Sequence, residues 1–230
     1  MKNTLIVIVF LLSVSIFSQD THVVQSQGGL ITAATFSNGG VIHNPPNDLV
    51  GSPYLFKEWD NKNFVHLVNA TDEKATVKLL SINLNVQLNK FTTKIDDKTV
   101  FSFNQDYFDY VIINNRRFEF FNDFNSNSKK IYEIIGSVND MKLVKGFSTY
   151  IIKGKVSGYQ TSAPVDKIKI KSQYYIKDGD NLIKIKLKKK TILALMKDKQ
   201  KEVQSFAKKE KLSFKKEKDL RAIFRFYNTL

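Results

Sequence analysis

Leu80, Ile82, Leu84, Val86 and Leu88 alternate with Ser81, Asn83, Asn85, Gln87 and Asn89. A period of two places the apolar set on one side of a pleated ribbon, so the run predicts a half-buried strand. Val100-Phe101-Ser102-Phe103 predicts a second strand. Tyr110–Ile113 and Phe118–Phe121 flank Asn114-Asn115-Arg116-Arg117. Asn tolerates positive φ, so these two runs predict a hairpin. Ile131–Ile135, Met141–Val144 and Phe147–Lys153 continue the series. Short strands joined by short polar turns predict an antiparallel meander that closes into a small barrel or sandwich.

The pattern changes toward the C-terminus. Val165–Ile176 and Asn181–Lys190 surround Asp178-Gly179, a dipeptide suited to a two-residue hairpin turn. With that turn Lys171 sits opposite Lys186 and Lys169 opposite Lys188, while Ile170 faces Leu187 and Tyr174 faces Ile183. Apolar residues then share one face and lysines the other, and a one-residue slip would scramble both. Helical spacing follows. Thr191–Met196 predicts a short apolar turn. Asp198 is placed to cap a helix through about Lys209, with Val203, Phe206 and Ala207 on one side. Leu220, Ile223, Phe224 and Tyr227 mark a last helix from about Lys216 to Asn228, with Glu217 and Asp219 in its first turn and Arg225 in its last. The expected fold is therefore mainly β, of the α+β class: an antiparallel meander, barrel or sandwich with a C-terminal hairpin and two or three helices.

The beginning of the chain reads as an address. Lys2 precedes the apolar run Leu5–Leu12, which continues through Ser13–Phe17. A basic start, a short apolar stretch and small polar residues make a secretory signal peptide, with cleavage expected between Ser18 and Gln19. The run is shorter than the roughly 20 residues of a membrane span. No later segment of that length lacks charge, so no transmembrane segment is expected once the signal is removed. Gly28-Gly29, Gly39-Gly40 and Pro45-Pro46 punctuate 19–48, which reads as an extended lead-in. Gly51-Ser52-Pro53-Tyr54-Leu55 opens the ordered part. The expected division is a signal at 1–18, a lead-in at 19–48, an antiparallel β-domain at 49–160 and a basic hairpin with helical tail at 161–230.

Composition narrows the chemistry. Of 230 residues 42% are hydrophobic and 12% aromatic, enough for a real core. There are 0 cysteines, which removes disulfides, thiolate metal sites and cysteine nucleophiles, and an exported chain without cysteine suits a bacterial periplasm or cell surface. The 3 histidines, His22, His43 and His66, have no metal-motif spacing. No nucleophile elbow, Walker loop or dinucleotide glycine motif occurs. Asp96-Asp97 and Asp106/Asp109 are carboxylate pairs of the kind glycoside chemistry uses, but their settings read as turns. Asp178, Asp180 and Asn181 are too few oxygens for calcium and are explained by the turn. No cofactor is called for.

Charge is concentrated. Residues 167–230 hold 20 Lys+Arg against 7 Asp+Glu, which is +13 of the chain's +14. Lys169, Lys171, Lys184, Lys186 and Lys188 form the candidate contact face. It reads either as a solvated face that keeps an edge from aggregating or as a docking surface for an anionic envelope component: a lipid headgroup, lipopolysaccharide or an acidic glycan. Nucleic acid fits an exported chain poorly, and no base-stacking platform is evident. The function expected is a non-enzymatic binding or assembly module of the cell envelope. The alternatives are a β-barrel carrier of an apolar ligand and a hydrolase with dispersed carboxylates.

Three stretches carry a family resemblance: Gly51-Ser52-Pro53-Tyr54-Leu55 with a following aromatic, the alternating run Leu80–Leu88, and the tail Lys188–Leu230. Within the tail these are Lys188-Lys189-Lys190, Leu193, Leu195, Lys199, Val203, Phe206, Asp219-Leu220 and Tyr227-Asn228. On these the chain resembles a group of uncharacterised exported proteins common in Bacteroidetes. The resemblance implies export and a β-body with a helical tail, and assigns no activity or catalytic residue.

Overall fold

The structure, a computed structural model, describes residues 23–26, 29–32, 40–43, 49–59, 63–68, 74–77, 81–123, 128–154 and 165–230. The expected signal segment, its Ser18/Gln19 cleavage point and Leu80 lie outside the described residues. The chain is mainly β, with antiparallel sheets and three helices, as the sequence pattern predicts. Its strands are β1 (Val23–Ser26), β2 (Gly29–Thr32), β3 (Gly40–His43), β4 (Asn63–Val68), β5 (Lys74–Val77), β6 (Ile82–Asn85) and β7 (Lys90–Lys94). Then come β8 (Thr99–Ser102), β9 (Phe108–Ile113), β10 (Arg116–Asp123), β11 (Ser128–Val138), β12 (Met141–Ile152), β13 (Lys167–Asp178) and β14 (Asn181–Ile185). The helices are α1 (Lys189–Leu195), α2 (Gln200–Lys209) and α3 (Glu217–Tyr227).

One large sheet runs β14-β13-β12-β11-β10-β9-β4-β5, a smaller one runs β3-β8-β7-β6, and β1-β2 is a separate hairpin. Local chemistry sets the turns. Asn114 and Asn115 have φ of 52° and 59°, which fixes a two-residue turn between β9 and β10. Asn139 has φ 50° between β11 and β12.

Several expectations are corrected. The lead-in at 19–48 contains β1, β2 and β3, and β3 pairs with β8. The Leu80–Leu88 run supplies only a four-residue strand, with both of its sides buried. Asn83 is buried because residues 53–56 run along the edge of β6: its carboxamide accepts from Phe56 N–H at 3.1 Å and donates to Phe56 C=O at 2.8 Å. Met141–Val144 and the run from Phe147 to Ile152 belong to one long strand, β12, which ends before Lys153. Asp198 does not cap α2; Lys199 holds that position without a side-chain cap bond, and the Asp198 carboxylate accepts from the Tyr227 hydroxyl at 3.1 Å.

Two apolar clusters hold these layers. The first lies between the sheets, where Ile82, Leu84, Phe91, Phe101 and Phe103 meet Val111, Ile113, Phe118 and Ile131. Its phenylalanines interlock edge to face: Phe91 and Phe118 lie 5.9 Å apart at 77°, and Phe101 and Phe103 lie 5.3 Å apart at 72°. The second cluster lies under the helices. Leu220, Ile223, Phe224 and Tyr227, the stripe read from spacing, pack with Ile192, Val203 and Ala207 against Ile135, Val138 and Leu143. Phe206 stacks on Phe226 with centroids 3.9 Å apart. A β-bulge after Ile134 turns Gly136 toward α3, and a Cβ there would stand 2.2 Å from Phe224 Cγ. Only glycine lets the helix come so close.

A polar network stands at the junction of the two clusters. Glu133 is fully buried. Arg116 donates to it twice, Nε and one terminal nitrogen each at 2.6 Å, and Arg221 of α3 donates to the same carboxylate. Arg221 also reaches Ile134 C=O at 2.9 Å and Glu217 at 3.0 Å. The other Glu217 oxygen accepts from Lys145 at 2.7 Å and from the Tyr174 hydroxyl at 3.0 Å. Phe56 and Phe118 flank the Arg116 guanidinium, their centroids 4.8 and 5.5 Å away. A buried carboxylate is tolerable only when so saturated.

Candidate functional site

The large sheet turns one face toward the helices and the small sheet. The strand alternation of β13 puts Ile168, Ile170, Tyr174 and Ile176 on that side. Lys169, Lys171, Gln173, Tyr175 and Lys177 take the other, helix-free face. Lys184 pairs with Tyr175 and therefore joins this face. So three of the five lysines singled out from the sequence, Lys169, Lys171 and Lys184, are brought together.

The expected pairing of the hairpin is corrected. The two-residue turn is Gly179-Asp180, with Gly179 at φ 53°, not Asp178-Gly179. The register moves by two residues, so Tyr174 faces Ile185 and Ile176 faces Ile183. A shift of two keeps every side chain on its face, which is why the face assignment survives. β14 stops at Ile185, so Lys186 and Lys188 do not oppose Lys171 and Lys169. Lys186 stands in the link to α1, and Lys188 is the N-cap position of that helix. Lys171 and Lys169 instead pair with Ser148 and Tyr150 of β12. Beyond β14 the outer edge of β13 is met by Val50, whose N–H donates to Asp166 C=O and whose C=O accepts from Ile168 N–H, both at 2.9 Å.

The face has two parts. Over β9 to β12 it is aromatic and its cations are partly balanced. Arg117 covers the Tyr110 ring at 3.6 Å and donates to Glu119 at 2.7 Å, while Lys142 donates to the same carboxylate. Lys177 and Lys142 lie 4.8 and 5.7 Å from the Phe121 centroid. Tyr132 meets Tyr175 edge to face at 5.9 Å, in space that Gly146 leaves: a Cβ there would stand 2.9 Å from Tyr132. Over β13 and β14 the balance is lost. Lys169, Lys171, Lys184, Lys186 and Lys188 are all exposed, and none is in an ion pair among the described residues. The Tyr150 ring centroid lies 6.0 Å from Lys171 Nζ.

Of the carboxylates named from sequence, Asp96 and Asp97 lie in the turn between β7 and β8 and Asp106 in the single turn before β9, whereas Asp109, read as a turn residue, lies within β9. Asp96 accepts from Lys98 N–H at 2.7 Å, Asp97 pairs with Lys94 at 2.6 Å, and Asp106 pairs with Lys129 at 3.3 Å. The two that converge, Glu133 and Glu217, were not singled out. Both bind Arg221, and burial, which alone would raise the Glu217 pKa, is overcome by the hydrogen bonds of Lys145, Arg221 and Tyr174, which hold it below its ordinary value. Carboxylates so neutralised are tied into the fold. The only sequence signal for them was a charged residue inside an otherwise apolar strand, at Glu133.

Among the described residues no group of three His, Asp or Glu gathers as a metal would need, and no helix is long and apolar enough to cross a membrane. In comparisons with known proteins the chain matches no family model, no curated protein and no solved structure.

Proposed function

We propose that the protein is a non-enzymatic binding or assembly module of the cell envelope, at the periplasm or cell surface. It engages an anionic component through the helix-free face of β13 and β14. One observation carries this reading: on the same face of the neighbouring strands Arg117 and Lys142 share the Glu119 carboxylate, whereas Lys169, Lys171 and Lys184 are in no ion pair among the described residues. Lysines two apart on a strand stand about 7 Å from each other, and unneutralised neighbours cost a few tenths of a kcal/mol per pair. An anionic partner would convert that cost into attraction. Lys186 and Lys188 extend the charge toward α1. The export signal and the resemblance to exported Bacteroidetes proteins support the same location.

Coulombic docking is tested with heparin and with lipopolysaccharide as probes. Affinity is expected to fall steeply as salt rises. The triple variant Lys169→Gln/Lys171→Gln/Lys184→Gln is expected to lose about tenfold or more in affinity at low salt, since each lysine near an anionic surface contributes on the order of 1 kcal/mol. Equal affinity of variant and parent would assign the contact elsewhere.

A further inference from the structure

Helix α2 ends on a bend that few residues accept. Lys211 has φ 53°, the left-handed conformation that usually takes glycine at a helix end. It turns the chain back along the helix: Lys211 N–H donates to Lys208 C=O at 3.3 Å, and Leu212 N–H to Ala207 C=O at 2.8 Å. The link to α3 is then pinned. Ser213 N–H donates to the Asp219 carboxylate at 3.0 Å, and the Ser213 hydroxyl accepts from Lys215 N–H at 3.3 Å. Phe214 is carried into the cluster under the helices and buried there. The first turn of α1 stands on its far side, with Lys189 Nζ 5.9 Å from the Phe214 ring centroid.

These turns leave a groove of about 570 Å³ between α1, the flank of α2 and the 212–215 link. Small-molecule sites commonly measure about 300–1,000 Å³. Ala207, Leu212 and Phe214 are its apolar lining, and Gln204, Ser205 and Ser213 its neutral polar groups. Its charged groups are Lys189, Lys208 and Lys215, all exposed. Among the described residues none of these lysines is in an ion pair, and no carboxylate lines the groove. Lys208 answers the carbonyl end of α2. Lys189 opens α1 and Lys215 lies in a link, positions at which no helix C-terminus calls for a cation.

We propose that this groove is a binding site for a phosphate monoester carried on an apolar group. The phosphate dianion lies among the three ammonium groups, which bind phosphate as point charges, and the Ser205 and Ser213 hydroxyls donate to its oxygens. The apolar group covers Leu212 and Phe214. A carboxylate, with one charge, would leave two of the three ammonium groups unanswered, and a neutral apolar molecule all three. A polyanionic chain would gain nothing from the apolar lining. The groove belongs to the helical side of the large sheet, apart from Lys169, Lys171 and Lys184, so it goes beyond the reading of that face and does not depend on it.

Calorimetric titration with phenyl phosphate, inorganic phosphate and phenol tests this. Phenyl phosphate is expected to bind at least about tenfold more tightly than inorganic phosphate, a gain that comes from covering apolar surface, and phenol not measurably. Lys189→Gln, Lys208→Gln and Lys215→Gln are each expected to weaken phenyl phosphate binding about two- to fivefold. These positions are exposed, so the fold is not at stake. Ser205→Trp, also at an exposed position, fills the groove and is expected to abolish binding with the circular dichroism spectrum unchanged. Lys169→Gln/Lys171→Gln/Lys184→Gln is expected to leave phenyl phosphate binding as it was. Equal affinity for phenyl phosphate and inorganic phosphate would overturn the proposal, and so would binding to neither. An equal loss in the lysine variants of the groove and of the helix-free face would overturn it too, since net charge alone would then account for the binding. Binding of an acidic phenylalanine-containing peptide without binding of phenyl phosphate would give the groove to a protein partner instead.

Discussion

Glu133 is a strand residue with no exposed surface, held by three hydrogen bonds from two arginines. Its value to the fold lies in the cost of losing it. Glu133→Ala leaves Arg116 without a counter-charge and Arg221 with Glu217 alone, a change that costs about 3–5 kcal/mol in comparable buried pairs. Urea denaturation measures it; a loss under about 1 kcal/mol would mean both guanidinium groups turn out to water. Tyr174, at the other end of the same network, gives a second handle. Burial first, then the charge and hydrogen bond of Glu217, push its pKa up to about 12. The unfolded tyrosine ionises near about 10, so between these values the folded state holds a proton that the unfolded state has lost, and stability falls as pH rises through that window. Ultraviolet titration should show a phenol ionising well after the main group, and Tyr174→Phe should remove it. Tyr227 is also raised, by burial and then by Asp198, so the variant is needed for the assignment. A titration unchanged by Tyr174→Phe would refute it.

At the scale of elements, α3 is seated on the large sheet by close approach. The bulge in β11 exists in service of α3, because it presents Gly136 where the Phe224 ring must lie. Gly136→Ala places a methyl 2.2–2.6 Å from the Cγ, Cβ and Cδ1 atoms of that ring. These atoms sit near the helix backbone and cannot swing away, so α3 must shift. Overpacking of this kind costs about 1–3 kcal/mol. Thermal unfolding followed by near-ultraviolet circular dichroism should register the loss. Gly40→Ala is the matched control, since a Cβ there meets nothing within 4 Å. Equal melting of the two variants would mean that α3 has room to spare. At this scale much was legible in the sequence. The apolar spacing of α3 and the two asparagines of the β9–β10 turn are local signals, and local signals decide local structure. The β13–β14 turn was misread because Asp178-Gly179-Asp180 offers two overlapping turns, and only the lengths of the paired strands choose between them.

In the whole molecule two apolar clusters share one sheet and are tied by one polar network. None of that was legible, for a physical reason. Arg221 and Glu133 are 88 residues apart, and each looks like a surface charge when read along the chain. The lysine face was half legible, since alternation assigns the face but cannot say where β14 ends. The end of β12 was missed because Phe147–Lys153 reads as an ordinary core strand, whereas Tyr150, Ile151 and Ile152 are exposed.

The reach of Arg221 has a consequence for how such a chain is made. Arg221 lies 88 residues after the Glu133 carboxylate that it binds. During synthesis the carboxylate of Glu133 emerges long before its second guanidinium. The sheet assembled up to that moment carries an incompletely neutralised charge at its centre, and it closes only when the last helix arrives. Premature closure is thereby disfavoured until α3 has been made.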